Sequence, residues 1–229
     1  MQFVMQPPQP SRRIPVSEIS MTGCVNGQEF ESALERDFLM GMAWDAEVDW
    51  FVTQPLTLKY ELAPSIWIPY TPDVLTSFVS RNGLPARRPL LCEIKYREEL
   101  NTGWRRLRRK FRAAKAYCDS HGWDWSVLDE HAIRGPKLNN IRFLWSYQRA
   151  PMYEREVAPI LGALARLKTA CLAEVSDQLG ASALRRSEII WTWWCLVARK
   201  RIQFDITQGI RQDTVFWLSD VEACHECRR

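Results

Sequence analysis

Over residues 56 to 118 the apolar positions change their period, and that change does most to narrow the folds open to this chain. Leu56, Leu58, Tyr60 and Leu62 alternate with Thr57, Lys59 and Glu61, the two-residue period of a half-buried strand. Trp104, Leu107, Phe111, Ala114 and Cys118 instead recur at steps of three and four, which draws one stripe along a helix. Strands giving way to a long amphipathic helix predict an α/β domain built in layers.

Flanking segments extend the pattern. From Glu29 to about Trp44 the spacing is helical, with Leu34, Phe38, Leu39 and Met42 along one stripe. Glu35 lies within that stripe, while Arg36 and Asp37 point elsewhere. Glu31 shares the apolar side but falls in the predicted first turn, where a carboxylate favours the helix dipole. Ile66 to Tyr70, Val74 to Val79 and Leu90 to Tyr96 read as strands, with a turn at Asn82-Gly83. Gly122 stops the amphipathic helix, and Trp123 to Leu128 supplies a further strand.

This layered domain is expected over residues 25–150, after an extended arm at 1–24 in which Pro7, Pro8, Pro10 and Pro15 prevent regular helix. Arg12 and Arg13 in that arm are candidates to touch DNA or a partner. Over 151–220 the pattern differs. Helices are predicted for Tyr153 to Leu167, Thr169 to Leu179 and Leu184 to Lys200, and Ile202, Phe204 and Ile206 then alternate before Thr214 to Leu218 pairs back. Three helices followed by a hairpin predict a winged helix, a module that binds DNA or other proteins. Trp191, Trp193 and Trp194 offer a recognition surface, but at least two of them are expected in the core. Arg185, Arg186, Arg199, Lys200, Arg201 and Arg211 keep DNA contact open.

The 229 residues are 46% apolar and include 11 Trp, ample for packed cores. No run of about 18 apolar residues marks a membrane span, and no apolar block of signal-peptide length opens the chain, so a cytoplasmic protein is expected. Seven cysteines are scattered rather than arranged as a framework. Cys92, Cys118, Cys171 and Cys195 lie among apolar neighbours and read as reduced thiols. Cys224-His225-Glu226-Cys227 offers zinc-type ligands, but no second ligand pair is visible, and residues 221–229 read as a flexible tail.

The net charge is only +4, so its distribution carries the argument. Trp104 to Lys115 holds Arg105, Arg106, Arg108, Arg109, Lys110, Arg112 and Lys115 without one acid. Solvation alone leaves these cations repelling one another. A phosphate backbone relieves that repulsion, so the helix is predicted to contact nucleic acid.

Four ionisable residues carry the chemistry: Glu35, Asp73, Glu93 and Lys95, with the three carboxylates as candidate metal ligands. On a strand, residues two apart share a face, so Glu93 and Lys95 project together. Asp73 lies at the bend before a strand able to pair with theirs. Carboxylate oxygens suit Mg²⁺, with Mn²⁺ as substitute; such ions complete their shells with water and substrate phosphate. A neighbouring lysine can then orient water or offset developing negative charge. The competing structural reading makes Glu93 and Lys95 exposed strand residues and Asp73 part of an ordinary Pro-Asp turn.

The segments LERDFLMGMAWDAEVDWFVTQPLTLKY, YTPDVLTSF and LLCEIKYREEL resemble the N-terminal domain of TnsA-type transposon endonucleases, with its E…QP…TPD…E(V/I)K succession. The resemblance spans about residues 29 to 130. It implies a restriction-endonuclease-like mixed sheet flanked by helices, followed by a winged-helix domain, in a bacterial enzyme that cuts the 5′ strands at transposon ends. It also implies three partners: a transposase of the integrase type that cuts the 3′ strands, an AAA+ ATPase regulator and, in some related systems, a CRISPR-based targeting complex. Glu35, Asp73 and Lys95 match the family's catalytic positions. Glu93 falls where some members have Gln, and Gln54, in the Gln-Pro pair, is expected to support the strand start. Two other functions fit the same residues: a non-catalytic adaptor of the transposition complex, and a stand-alone repair or junction nuclease.

Overall fold

Asn26 and Gly27 both adopt positive φ (50° and 82°), the backbone of a tight two-residue hairpin loop. In the computed structural model they join β1 (Gly23–Val25) to β2 (Gln28–Phe30), with Val25 paired to Gln28. The structure describes residues 6–11, 21–80, 86–180 and 182–220, and the chain divides into two compact units, 1–134 and 135–229. The expected Asn82-Gly83 turn, the Arg12 and Arg13 contacts and the cysteine-bearing tail lie outside the described residues.

The hairpin corrects two expectations. Residues 23 and 24, expected in the arm, belong to a strand, and the first helix begins later than Glu29. That helix, α1 (Ala33–Trp44), starts where Ser32 caps it: the Ser32 hydroxyl accepts from the Glu35 N–H at 3.1 Å. Glu31 therefore precedes the helix. Asp37, expected to point away from the buried side, is fully buried and paired with Arg36 (3.0 Å) and Arg134 (2.8 Å). A charge pair lets a carboxylate enter a face that periodicity assigns to apolar residues alone.

Next come β3 (Val48–Thr53), β4 (Leu58–Ala63), β5 (Ile66–Tyr70), β6 (Val74–Phe78), β7 (Leu90–Ile94), α2 (Arg97–His121), β8 (Asp124–Leu128) and α3 (Glu130–Ile133). Among the described residues β3, β6, β7 and β8 form a four-stranded sheet in that order, antiparallel except for the parallel pair β7–β8. The 25-residue α2 makes the crossover that a parallel pair requires. β3 escaped the sequence reading because Phe51 interrupts the alternation of Val48, Trp50 and Val52. β7 ends at Ile94, two residues earlier than expected, since Tyr96 is already the N-cap of α2.

α2 covers the sheet through Cys118, which packs with Leu75 and Leu91. One turn earlier Ala114 packs with Leu58 and Tyr70 of the β4–β5 hairpin. The predicted stripe thus buries Leu107, Phe111, Ala114 and Cys118, whereas Trp104 is 54% exposed. A mixed sheet flanked by helices fits a restriction-endonuclease-like fold.

The second unit holds α4 (Pro136–Trp145), α5 (Glu154–Leu167), β9 (Thr169–Ala170), α6 (Leu172–Gln178), α7 (Ala183–Ala198), β10 (Ile202–Gln203) and β11 (Phe216–Leu218). Its strands form an antiparallel sheet in the order β10-β11-β9. The division into units falls between Arg134 and Gly135 rather than near Ala150-Pro151 because α4 packs with α7, and Asn140 donates to the carbonyls of Ile206 and Gln208. Of the three tryptophans on α7, Trp193 is fully buried against Phe216, Trp194 is half-buried and Trp191 is exposed. Each residue turns the helix by about 100°, so 191 and 193 face nearly opposite ways. Arg185 pairs with buried Glu156 through two bonds of 3.0 Å, and Arg199 donates to the carbonyls of Gln148 and Ala150. These two arginines, expected to remain open to DNA, are committed to the unit's own packing.

Candidate active site

Asp73 sits one residue before β6 and is held by the ends of three strands. Its N–H donates to the Cys92 carbonyl (3.1 Å), and its own carbonyl accepts from the Gln54 N–H (2.7 Å). Its side-chain Oδ2 accepts from the Ile94 N–H at 2.6 Å. Gln54 makes this possible from an uncommon conformation. It is buried, its φ is +49°, and its carbonyl accepts from both the N–H and the hydroxyl of Ser11. Such left-handed residues persist where surrounding contacts over-determine them. Gln54 thus ends β3 and braces Asp73, rather than starting β4.

Glu93 points from β7 toward the same place and is only 1% exposed. The Tyr70 hydroxyl donates to its Oε2 at 2.6 Å, and Lys110 Nζ donates to its Oε1 at 2.6 Å. Lys95, just past the strand, places Nζ 3.6 Å from Asp73 Oδ2 and 3.6 Å from Glu93 Oε1. It also donates to the Ile94 carbonyl at 3.1 Å. Asp73, Glu93 and Lys95 therefore meet, as strand alternation and motif order predicted.

The charges perturb one another. Burial, reinforced by Glu93 and opposed by Lys95, pushes the Asp73 carboxyl up to about 7. Burial works against the Lys95 ammonium, but Asp73, Glu93, Glu35 and Glu99 outweigh it and raise its pKa. Burial, followed by the Glu93 charge, raises the Tyr70 phenol and keeps it a hydrogen-bond donor.

Glu35 is placed differently. Its carboxylate closes the start of α1, accepting from the Glu31 N–H (2.9 Å) and the Ser32 hydroxyl (3.0 Å), in the manner of a capping box. Burial raises its pKa, while the Glu31 N–H, Ser32 and Lys95 act to lower it. Glu35 thus feels the site's charge, but its oxygens are engaged in capping. Among the described residues no three His, Cys, Asp or Glu side chains gather into a metal cage.

The donor set nevertheless fits a hard divalent ion that keeps most of its water. Asp73 and Glu93 are oxygen donors flanking one ammonium, and the Ile94 N–H and Lys95 engage Asp73 through Oδ2. One or two carboxylates suffice for Mg²⁺ when substrate phosphate supplies further oxygens.

Two contributors escaped the sequence reading in this role. Tyr70 sits three residues before Asp73, and nothing in its strand marks the hydroxyl as directed at Glu93. Lys110 was assigned to the cationic, DNA-facing side, but it is 18% exposed and turned inward. Its sequence signal was position: three residues after Leu107 and four before Ala114, it borders the apolar stripe. Of the remaining cations, Arg105, Arg106, Arg108, Arg109, Arg112 and Lys115 are exposed. Arg109 also donates to the Leu62 carbonyl, and Lys115 pairs with Asp119 at 3.0 Å. An open groove of about 590 Å³, lined in part by Tyr60, Lys95, Glu99, Arg105, Arg106 and Lys110, runs from the two lysines that pair with Glu93 along the basic face of α2.

Residues 45–130 match the family model described as TnsA-like endonuclease N terminal. The match includes Gln54, Asp73, Glu93, Lys95 and all of α2, but not Glu35. No curated protein matches the chain. No described helix is long and apolar enough to cross a membrane.

Proposed function

We propose that this chain, whose residues 45–130 match the TnsA-like endonuclease N-terminal model, is a Mg²⁺-dependent DNA endonuclease of cut-and-paste transposition. It cuts the 5′ strands at transposon ends, in company with an integrase-type transposase and an AAA+ regulator; in systems with RNA-guided targeting, a CRISPR complex joins them. The observation that carries the reading is the convergence of Asp73 and Glu93 on Lys95, each carboxylate 3.6 Å from its ammonium.

In this scheme Asp73 and Glu93 hold the divalent ion, with Glu35 in support. When bound, that ion supplies Lewis acidity to the scissile phosphate and to the attacking water. Lys95 orients the water or offsets charge developing on the phosphate oxygens, a role its position between two carboxylates keeps cationic. Tyr70 fixes the Glu93 carboxylate, and Ile94 fixes that of Asp73. Hydrolysis leaves a 5′-phosphate and a 3′-hydroxyl. The exposed arginines of α2 hold the backbone beside the cut. The second unit serves as a winged helix that contacts DNA or the ATPase.

A nicking assay with transposon-end DNA and the partner transposase tests the reading. Asp73→Ala should abolish 5′-strand nicking and Lys95→Ala should slow it severely, while both leave assembly on the DNA intact. If both variants nick as fast as the wild type, the assignment is wrong.

A further inference from the structure

We infer that Lys110 is an exchangeable counter-ion: it neutralises Glu93 in the metal-free protein and transfers to a DNA phosphate when the metal enters, coupling metal binding to DNA binding. The inference rests on the nuclease reading above.

Glu93 is almost completely buried, and Lys110 Nζ makes the shortest cationic contact to it, at 2.6 Å on Oε1. Oε2 already accepts from Tyr70. A divalent ion binds carboxylate oxygen at about 2.1 Å, so an ion on Oε1 would stand within about 5 Å of the ammonium. Two positive charges at that distance in a partly buried site repel strongly. One must leave. Lys95 is shared between both carboxylates at longer range and is tied to the Ile94 carbonyl. Lys110 has somewhere to go, because it lines the groove that also presents Arg105 and Arg106. A phosphate in that groove offers the ammonium a replacement anion. Without DNA, leaving Glu93 costs Lys110 its ion pair and its position over the Tyr70 ring, 4.6 Å from the centroid.

The test measures Mn²⁺ dissociation constants of the full chain by calorimetry or paramagnetic resonance, with and without a short DNA duplex, for wild type, Lys110→Met and Lys110→Gln. Without DNA, both variants should bind Mn²⁺ about tenfold tighter than wild type, within the usual range of coupling between sites. The duplex should tighten wild-type Mn²⁺ binding by a similar factor and that of the variants far less. Circular dichroism shows whether each variant is folded, and the wild-type DNA dependence tests the coupling with no variant at all. Variants that bind Mn²⁺ no tighter than wild type, or a wild-type affinity indifferent to DNA, overturn the inference and leave the nuclease reading standing. Absence of Mn²⁺ binding in every protein, with and without DNA, overturns both.

Discussion

Lys110 Nζ on α2 lies 2.6 Å from Glu93 Oε1 on β7, although 17 residues separate them in the chain. The contact ties the helix that carries the arginines to the strand that carries the carboxylate. It also gives α2 two kinds of cation, those directed outward and one directed into the sheet's end.

The outward cations should act on DNA as a charged surface. Replacing Arg105 and Arg106 together by Ala should weaken binding to all duplexes alike and reduce the salt slope of log Kd by about 2, one for each lost phosphate contact. Fluorescence anisotropy over a salt series measures this. Arg109 should behave differently, because its bond to the Leu62 carbonyl ties the β4–β5 hairpin to α2; Arg109→Ala should lower thermal stability as well.

Tyr70→Phe removes one hydrogen bond to a buried carboxylate and leaves packing nearly unchanged. The loss should be about 1–3 kcal/mol of folding stability, the usual cost of unsatisfying such a group. Urea unfolding in chelator-containing buffer reads it as a lower midpoint at constant slope.

Nicking should respond most to Lys95. Substitution by Ala should slow 5′-strand cleavage roughly a hundredfold or more, as loss of a group aimed at developing charge does, whereas binding to transposon-end DNA should change little. Single-turnover cleavage beside an equilibrium binding assay separates the two. Loss of binding in proportion to cleavage would recast Lys95 as a DNA contact.

The Asp73 carboxyl, pushed up to about 7 in the folded chain, ionises near pH 4 when unfolded. Between those values the folded state holds the proton that the unfolded state has released. Its contribution to stability is therefore greatest below about pH 4 and is lost as pH rises through about 7. In the metal-free protein, unfolding free energy should decline across that window, and Asp73→Asn should flatten the decline. Denaturant melts at steps of pH from about 5 to about 8 decide it.

Much of the candidate site was legible because it depends on local periodicity. The two-residue repeat of a strand placed Glu93 and Lys95 on one face, and the order of motifs brought Asp73 to the adjoining strand. The helical repeat along α2 identified Leu107, Phe111, Ala114 and Cys118 as the buried stripe. Asn26-Gly27 went unread as a turn, although Asn-Gly is a strong two-residue hairpin signal and both positions adopt positive φ. What periodicity cannot convey is which charge meets which across the fold. Asp37 enters the core because Arg134 reaches it from far along the chain. Glu35, singled out as an acid on an apolar face, uses its oxygens to cap its own helix. Lys110 joins Glu93 rather than the outward cations because α2 packs on the sheet with that edge of its stripe turned toward β7. A repeat fixes the direction of a side chain relative to its own element, and its partner is settled only when the elements dock.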